Sequence, residues 1–154
     1  MERTLIIIKP DALQRGLVGE VTTRLEKKGL KLVGNKMANL TEDILHEHYA
    51  HLVDKPFFPG IKKFMMSSPV IIQCWEGAEC VETVRTIAGV TNARKADAGT
   101  IRGDLAISMQ SNIVHASDSV ETAEKEVKRF FKEDELYEWT RTIDQHLYAE
   151  DEVR

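Results

Sequence analysis

Between Gly99 and Glu126 the chain gathers an arginine (Arg102), an amide (Asn112), a histidine (His115), hydroxyls (Ser117, Ser119) and carboxylates (Asp118, Glu126), within the strings GTIRGD and SNIVHASDS and the helix start after them. Histidine, with an unperturbed pKa of about 6.5, is a usable nucleophile when a partner fixes one ring nitrogen and leaves the other deprotonated. His115 follows an apolar stretch, Glu126 lies two turns into the next helix as a candidate partner, and Ser117 stands nearby. Arg102 offers phosphate oxygens a planar fork of donors, Arg85 adds a second cation and Lys9 a third. Such convergence is what phosphoryl transfer needs, because positioning and charge stabilisation carry most of that catalysis. Neither a Walker-type glycine loop nor a protein-kinase HRD and DFG pair occurs, so phosphate would need a different cradle. The competing reading is bland: a half-buried histidine satisfied by backbone, and a surface lysine.

The elements that must position these groups follow from pattern. Thr4 to Ile8 is apolar at successive positions, as in a central strand, and Lys9-Pro10 stops it, which puts Lys9 at the carboxyl end. Asp11 to Gln14 forms a short turn. Val18, Val21 and Leu25 recur at helical spacing over Val18 to Lys28, with Gly29 as the stop. Leu30 to Leu40 reads as a strand with a bulge or bend near Gly34. Thr41 caps a helix from Glu42 to Leu52, and a second short helix spans Gly60 to Met66. Of Phe57 and Phe58, one is free to be a stacking surface, and either could equally pack a loop. Pro69 to Trp75 is a buried strand with Glu76-Gly77 as its turn, and Glu79 to Ala88 is a helix ended by Gly89. Regular periodicity then disappears up to Ile107, and a loop that long in a compact domain is more often functional than idle. Asn112 to Ala116 is a strand, and the Asp118 to Glu121 spacing resembles a capping box opening a helix to Phe131. The tail from Asp134 to Arg154 packs across the body or against a neighbouring subunit.

Strands at Leu5, Leu32, Ile71 and Val114 with these helices give an α/β (α+β sandwich) plan: a ferredoxin-like βαββαβ fold, a four-stranded antiparallel sheet with helices on one face and additional helices or loop. The other face then needs cover from loops, the tail or a second subunit. At 154 residues and 17.5 kDa the chain is read as one domain over 1–154, long enough to bury about two thirds of its unfolded surface. With 21 basic against 25 acidic side chains, no overall field draws nucleic acid, and no specific nucleic-acid partner is expected. Cys74 and Cys80 read as reduced thiols. No apolar run approaches a membrane span and no cleavable leader is apparent, so a cytoplasmic protein without a membrane partner is expected.

Over nearly its full length the chain resembles the nucleoside diphosphate kinase family. The resemblance rests on NIVHASDS (Asn112 to Ser119), GTIRGD (Gly99 to Asp104), the opening IIIKPDALQRGLVGE, and HYAHLVDKPFF around Tyr49 and Phe57. It implies a ping-pong exchange in which His115 takes the γ-phosphoryl group of a nucleoside triphosphate on Nδ1 and passes it to a nucleoside diphosphate. Glu126 is then the partner of the other ring nitrogen, with Ser117 beside it and Tyr49 next to the histidine. Arg102, Arg85 and Thr91 bind phosphates, and Lys9 and Asn112 hold the sugar hydroxyls. Phe57 stacks on the base, with Ile61 and Met109 lining the slot. The resemblance also implies Mg2+ carried by the phosphates, with Asp118 at most a water-mediated neighbour, and dimers assembled into a tetramer or hexamer. Departures from the family pattern are Ala116 and Ser68 where glycine is usual, and Ala93 and Ala98 where proline is. None removes a reacting group. The alternatives are a nucleotide-binding regulatory or scaffolding relative with little turnover, and a histidine phosphohydrolase. The full set of His115, Lys9, Arg102, Asn112 and Glu126 disfavours the first; the stacking and sugar-directed residues disfavour the second.

Overall fold

The computed structural model describes residues 1–152; the expectation for the tail at 153 and 154 lies outside them. Strand β1 (Glu2–Ile8) is interior, pairing antiparallel with β3 (Val70–Gly77) on one side and β4 (Val114–Ala116) on the other, while β2 (Lys31–Ala38) flanks β3. The order β2-β3-β1-β4 is that of the ferredoxin-like plan. Leu5, Ile6, Ile7 and Ile8 are fully buried in succession, because alternate side chains enter two different cores. After the short helix α1 (Pro10–Gln14), helix α2 (Val18–Lys28) ends on Gly29 in the left-handed conformation, and with α5 (Cys80–Ala88) it packs over Ile6, Ile8 and Trp75.

The second face is not left for loops or another subunit to cover. Helix α7 (Val120–Phe130) lies across β1, and Val127 and Phe130 join Leu45 of α3 (Glu42–His48) and Met65 of α4 (Phe58–Met65) over Leu5, Ile7 and Cys74. Helices α2 and α5 thus share one face, as the ferredoxin-like plan has it, and the additional helices α3, α4 and α7 supply the cover for the other. The central strand pair is not a plain hairpin, since α3 and α4 stand between β2 and β3.

Several boundaries shift for local reasons. Helix α3 stops at His48, and a 3-10 turn over Ala50–Leu52 replaces its expected last turn. Helix α4 starts at Phe58, two residues early, because Pro59 suits a first helical turn. Glu76 and Gly77 belong to β3 rather than to a turn: the Glu76 carboxylate accepts from Arg3 and Lys31 on the two flanking strands. Glu79, with φ 46°, makes the turn instead and α5 begins at Cys80. The stretch to Ile107 is not wholly irregular: it holds a 3-10 turn over Ala93–Lys95 and α6 (Ile101–Leu105), whose cap Thr100 accepts from Gly103 N–H. Ser119, not Asp118, caps α7. The expected bulge lies between Leu32 and Gly34. A side chain at Gly34 would meet Leu136 Cδ2 at 2.9 Å and Phe131 Cε1 at 3.0 Å.

Candidate active site

His115 is carried by β4 opposite Ile7, on the short outer strand of the sheet. The chain reaches it through Ile113, whose φ of 76° is unusual for a β-branched residue. That backbone is held by flanking bonds: Asp11 Oδ2 accepts from Ile113 N–H at 3.1 Å, and Lys9 N–H donates to Ile113 C=O at 2.8 Å. The backbone two residues before His115 is thus anchored just past the end of β1.

Helix α7 brings Glu126 back beneath the imidazole. His115 Nε2 lies 3.0 and 2.9 Å from the two Glu126 oxygens, and Ser117 Oγ donates to Oε1 at 2.6 Å. Burial opposes ionisation of Glu126, but the His115 hydrogen bond and charge, then Ser117 and His48, outweigh it and hold its pKa below the usual carboxylate value. An ionised carboxylate on Nε2 keeps the ring proton there. Nδ1 is then the nitrogen with a free lone pair, on a side chain that lines a cleft of about 670 Å³.

Tyr49, Arg85, Thr91, Asp118 and Glu126 line the same cleft. Burial and the nearby Glu126 charge push the Tyr49 hydroxyl up to about 12, so it stays a hydrogen-bond donor at neutral pH. Two further lining residues were not singled out from sequence. His48 is buried, its ring edge-on to His115 with centroids 4.6 Å apart, and its Nδ1 is 3.3 Å from Glu126 Oε2. Burial, with the neighbouring His115, pushes its pKa down to about 3, so it is neutral. Arg129, one turn after Glu126 on α7, places Nη1 3.0 Å from His48 Nδ1. The sequence signals for them were slight: a step of three positions from Glu126 to Arg129 on one helix, and a tyrosine next to His48.

Behind this cleft stands a second cluster. Lys9 Nζ donates to Asn112 Oδ1 at 2.7 Å, and Asn112 Nδ2 donates to Thr91 C=O at 2.9 Å and Met109 C=O at 3.1 Å. Both amide protons of Asn112 are therefore committed, its Oδ1 keeps one acceptor site, and Lys9 keeps two of the three N–H of its ammonium. Burial and the Arg102 charge bring Lys9 down to about 8. Arg102 itself is buried and donates to Gly89, Asn112 and Val114 C=O. Burial, with Arg85 beside it, lowers its pKa to about 10, which leaves it cationic.

Three predicted base-slot residues do not line the His115 cleft. Phe57 is 54% and Met109 55% exposed, whereas Ile61 is half-buried and packs against the α3, α4 and α7 core. Phe58, by contrast, is core, which resolves the aromatic pair. As for metals, the exposed Asp118 and Glu47 are the cleft's unburied carboxylates. Two rim carboxylates are too few for the octahedral oxygen shell of Mg2+, so the donor set fits an ion that arrives with most of its oxygens already in place.

Comparison with known proteins gives a consistent picture. The family model described as nucleoside diphosphate kinase matches residues 2–136. A nucleoside diphosphate kinase of Parabacteroides distasonis is 59% identical over 152 residues, covering 99% of both chains, and one of Heliobacterium modesticaldum is 51% identical over 143 residues, covering 93% of this chain and 96% of that one. Among solved structures, a halophilic nucleoside diphosphate kinase from Halobacterium salinarum in complex with CDP superposes with a TM-score of 0.94 at 45% identity, over 96% of this chain and 99% of that one.

Proposed function

Because the chain belongs to the nucleoside diphosphate kinase family, we propose that His115 carries its phosphotransferase activity, moving the γ-phosphoryl group of a nucleoside triphosphate to a nucleoside diphosphate. The observation that carries this reading is the Glu126 carboxylate on His115 Nε2, which presents Nδ1 to the cleft as a lone pair. Nδ1 attacks the γ-phosphorus, a P–N bond forms as the P–O bond to the β-phosphate breaks, and the diphosphate leaves. The phosphorylated ring gains positive charge, and Glu126 beneath it stabilises that charge while Ser117 holds the carboxylate in place. A second nucleoside diphosphate then attacks the phosphorus and restores neutral His115.

In this reading Arg85 and Thr91 meet the phosphates in the cleft and Tyr49 donates beside the transferred group. Arg102 keeps two N–H groups beyond those given to its three carbonyls, and these serve the phosphates. Lys9 supplies donors to the sugar hydroxyls, and Asn112 positions Lys9 as much as it binds sugar itself. Phe57 offers an exposed aromatic face to the base, flanked by Ile61 and Met109. Asp118 would be the protein's water-mediated neighbour to an Mg2+ ion arriving with the phosphates, and that ion would supply neutralisation of phosphate charge. The reading takes residues 1–154 as one domain, places it in the cytoplasm, and expects dimers joined into a tetramer or hexamer. No helix among the described residues is long and apolar enough to cross a membrane.

Initial rates at varied donor and acceptor concentrations test the exchange. Parallel double-reciprocal lines are expected, and lines that intersect would contradict a covalent intermediate. A base held by stacking is poorly discriminated, since every base has a π-face. Phe57→Ala is therefore expected to weaken adenine, guanine and cytosine nucleotides alike, by roughly 1–3 kcal/mol; a defect confined to one base would contradict this slot.

A further inference from the structure

At the floor of the cleft one carboxylate lies between two imidazoles. Glu126 Oε2 is 2.9 Å from His115 Nε2 and 3.3 Å from His48 Nδ1, and a ligand atom from each of the three residues lies within 4.8 Å of the others. A tetrahedral ion with bonds of roughly 2.0–2.2 Å holds neighbouring donors about 3.3 Å apart. The His48 pair is at that spacing, and the His115 pair, at the hydrogen-bond length of 2.9 Å, opens by about 0.4 Å on taking up an ion. Two imidazole nitrogens and one carboxylate oxygen suit zinc and its first-row neighbours, whereas magnesium prefers oxygen throughout. His115 is part-exposed to the cleft, which leaves a side open for a fourth ligand such as water.

The hydrogen bonding around His48 points to the same atoms. Arg129 Nη1 donates to His48 Nδ1, which requires a lone pair there. That lone pair also faces Glu126 Oε2, acceptor against acceptor. A proton on Nδ1 would satisfy Glu126 and confront Arg129 instead. A small cation between the ring and the carboxylate satisfies both of those acceptors once Arg129 releases the nitrogen.

We propose that His48, His115 and Glu126 form a binding site for a zinc-class divalent cation, and that occupancy of this site switches off His115 as a nucleophile. The ion takes the lone pair of His115 Nε2. The single proton of the neutral ring then resides on Nδ1, so the ring stays neutral and the nitrogen that faces the phosphate no longer has a free lone pair. Arg129 guards the site twice, by its charge and by occupying His48 Nδ1. Binding stands on the three ligands alone; inhibition rests in addition on the reading of His115 as phosphoryl acceptor.

The test is calorimetric titration of the full-length, nucleotide-free and magnesium-free protein with Zn2+ alone. One ion per chain is expected. His48→Gln and Glu126→Gln should each weaken binding at least about tenfold, as lost support of a metal site does. Arg129→Gln should tighten it by about fivefold through loss of a neighbouring positive charge. Absence of one-to-one binding, or binding unchanged in a folded His48→Gln protein, overturns the site. If either ligand variant fails to fold, the Arg129→Gln arm decides: affinity that does not rise overturns the proposal. Zinc bound at this site while phosphate labelling of His115 from magnesium-ATP proceeds at full rate would overturn the inhibition and leave the site standing. Absence of labelling from magnesium-ATP in zinc-free controls would instead count against the phosphoryl-acceptor reading.

Discussion

His115 has two nitrogens and one exchangeable proton, and Glu126 decides where that proton sits. The pairing was legible in the sequence because a histidine at a strand end and a glutamate two turns into the next helix are brought together by local chain reversal. His48 and Arg129 were not legible as site residues. His48 meets Glu126 only after the α3 region folds onto α7, a contact 78 positions apart in the chain that no local spacing reports. Lys9 is where charge and pH meet. Its ammonium is depressed to about 8, first by burial and then by Arg102, so it is cationic below that pH and neutral above it. The unfolded chain binds the extra proton between about 8 and the ordinary lysine value, so this group adds stability as pH rises through that interval. Nucleotide binding should move the opposite way: KM for the nucleoside diphosphate is expected to rise above pH 8. In Lys9→Arg, which keeps its charge, that rise should vanish even if activity is lower. A KM profile that is the same for both proteins would contradict a charge role for Lys9.

Among the elements, α6 shows most clearly how the site is held. Arg102, on that five-residue helix, donates to the carbonyls of Gly89, Asn112 and Val114 and so ties the end of α5 and the approach to β4 to the arginine loop. A guanidinium reaches all three; an ammonium does not, because its donors lack the planar fork. Arg102→Lys is therefore expected to lower stability by about 3 kcal/mol, since bonds to charged donors contribute roughly 1.5–3 kcal/mol each, and Tm by roughly 9 °C. Equal melting temperatures would show that Arg102 serves phosphate alone. Helix α2 was legible because Val18, Val21, Leu25 and Gly29 give both period and stop. Helix α6 was not, because five residues with a glycine in them carry no period; only Thr100, three residues before Gly103, marks its start. Glu76 and Gly77 looked like a turn from composition, yet cross-strand charges on Arg3 and Lys31 keep them in β3.

For the molecule as a whole, the sheet order and the two-sided burial of β1 followed from four strand patterns, but which helices cover which face did not. Val127 and Phe130 are as apolar as any core positions, and nothing local says that α7 crosses the face opposite to α2 and α5. Beyond residue 136, outside the family match, residues 137–141 lie on the body: Tyr137 N–H donates to Val33 C=O, Trp139 Nε1 to Leu32 C=O at 2.9 Å, and Arg141 Nη1 to Leu30 C=O at 3.0 Å. None of these groups lines the His115 cleft. Trp139→Ala is expected to cost about 1 kcal/mol, one hydrogen bond's worth, and roughly 3 °C in Tm, with exchange rate unchanged; an unaltered Tm would mean that the tail does not fasten this edge. From the Glu126 carboxylate to the sheet edge, these contacts serve to present His115 Nδ1. The most direct measurement is to incubate the protein with γ-labelled ATP, isolate the modified peptide and locate the phosphate by NMR. Acid-labile, base-stable phosphate on Nδ1 of His115, removed by added nucleoside diphosphate as a new triphosphate, is the predicted result. Phosphate on Nε2, on another residue, or on none would contradict the account.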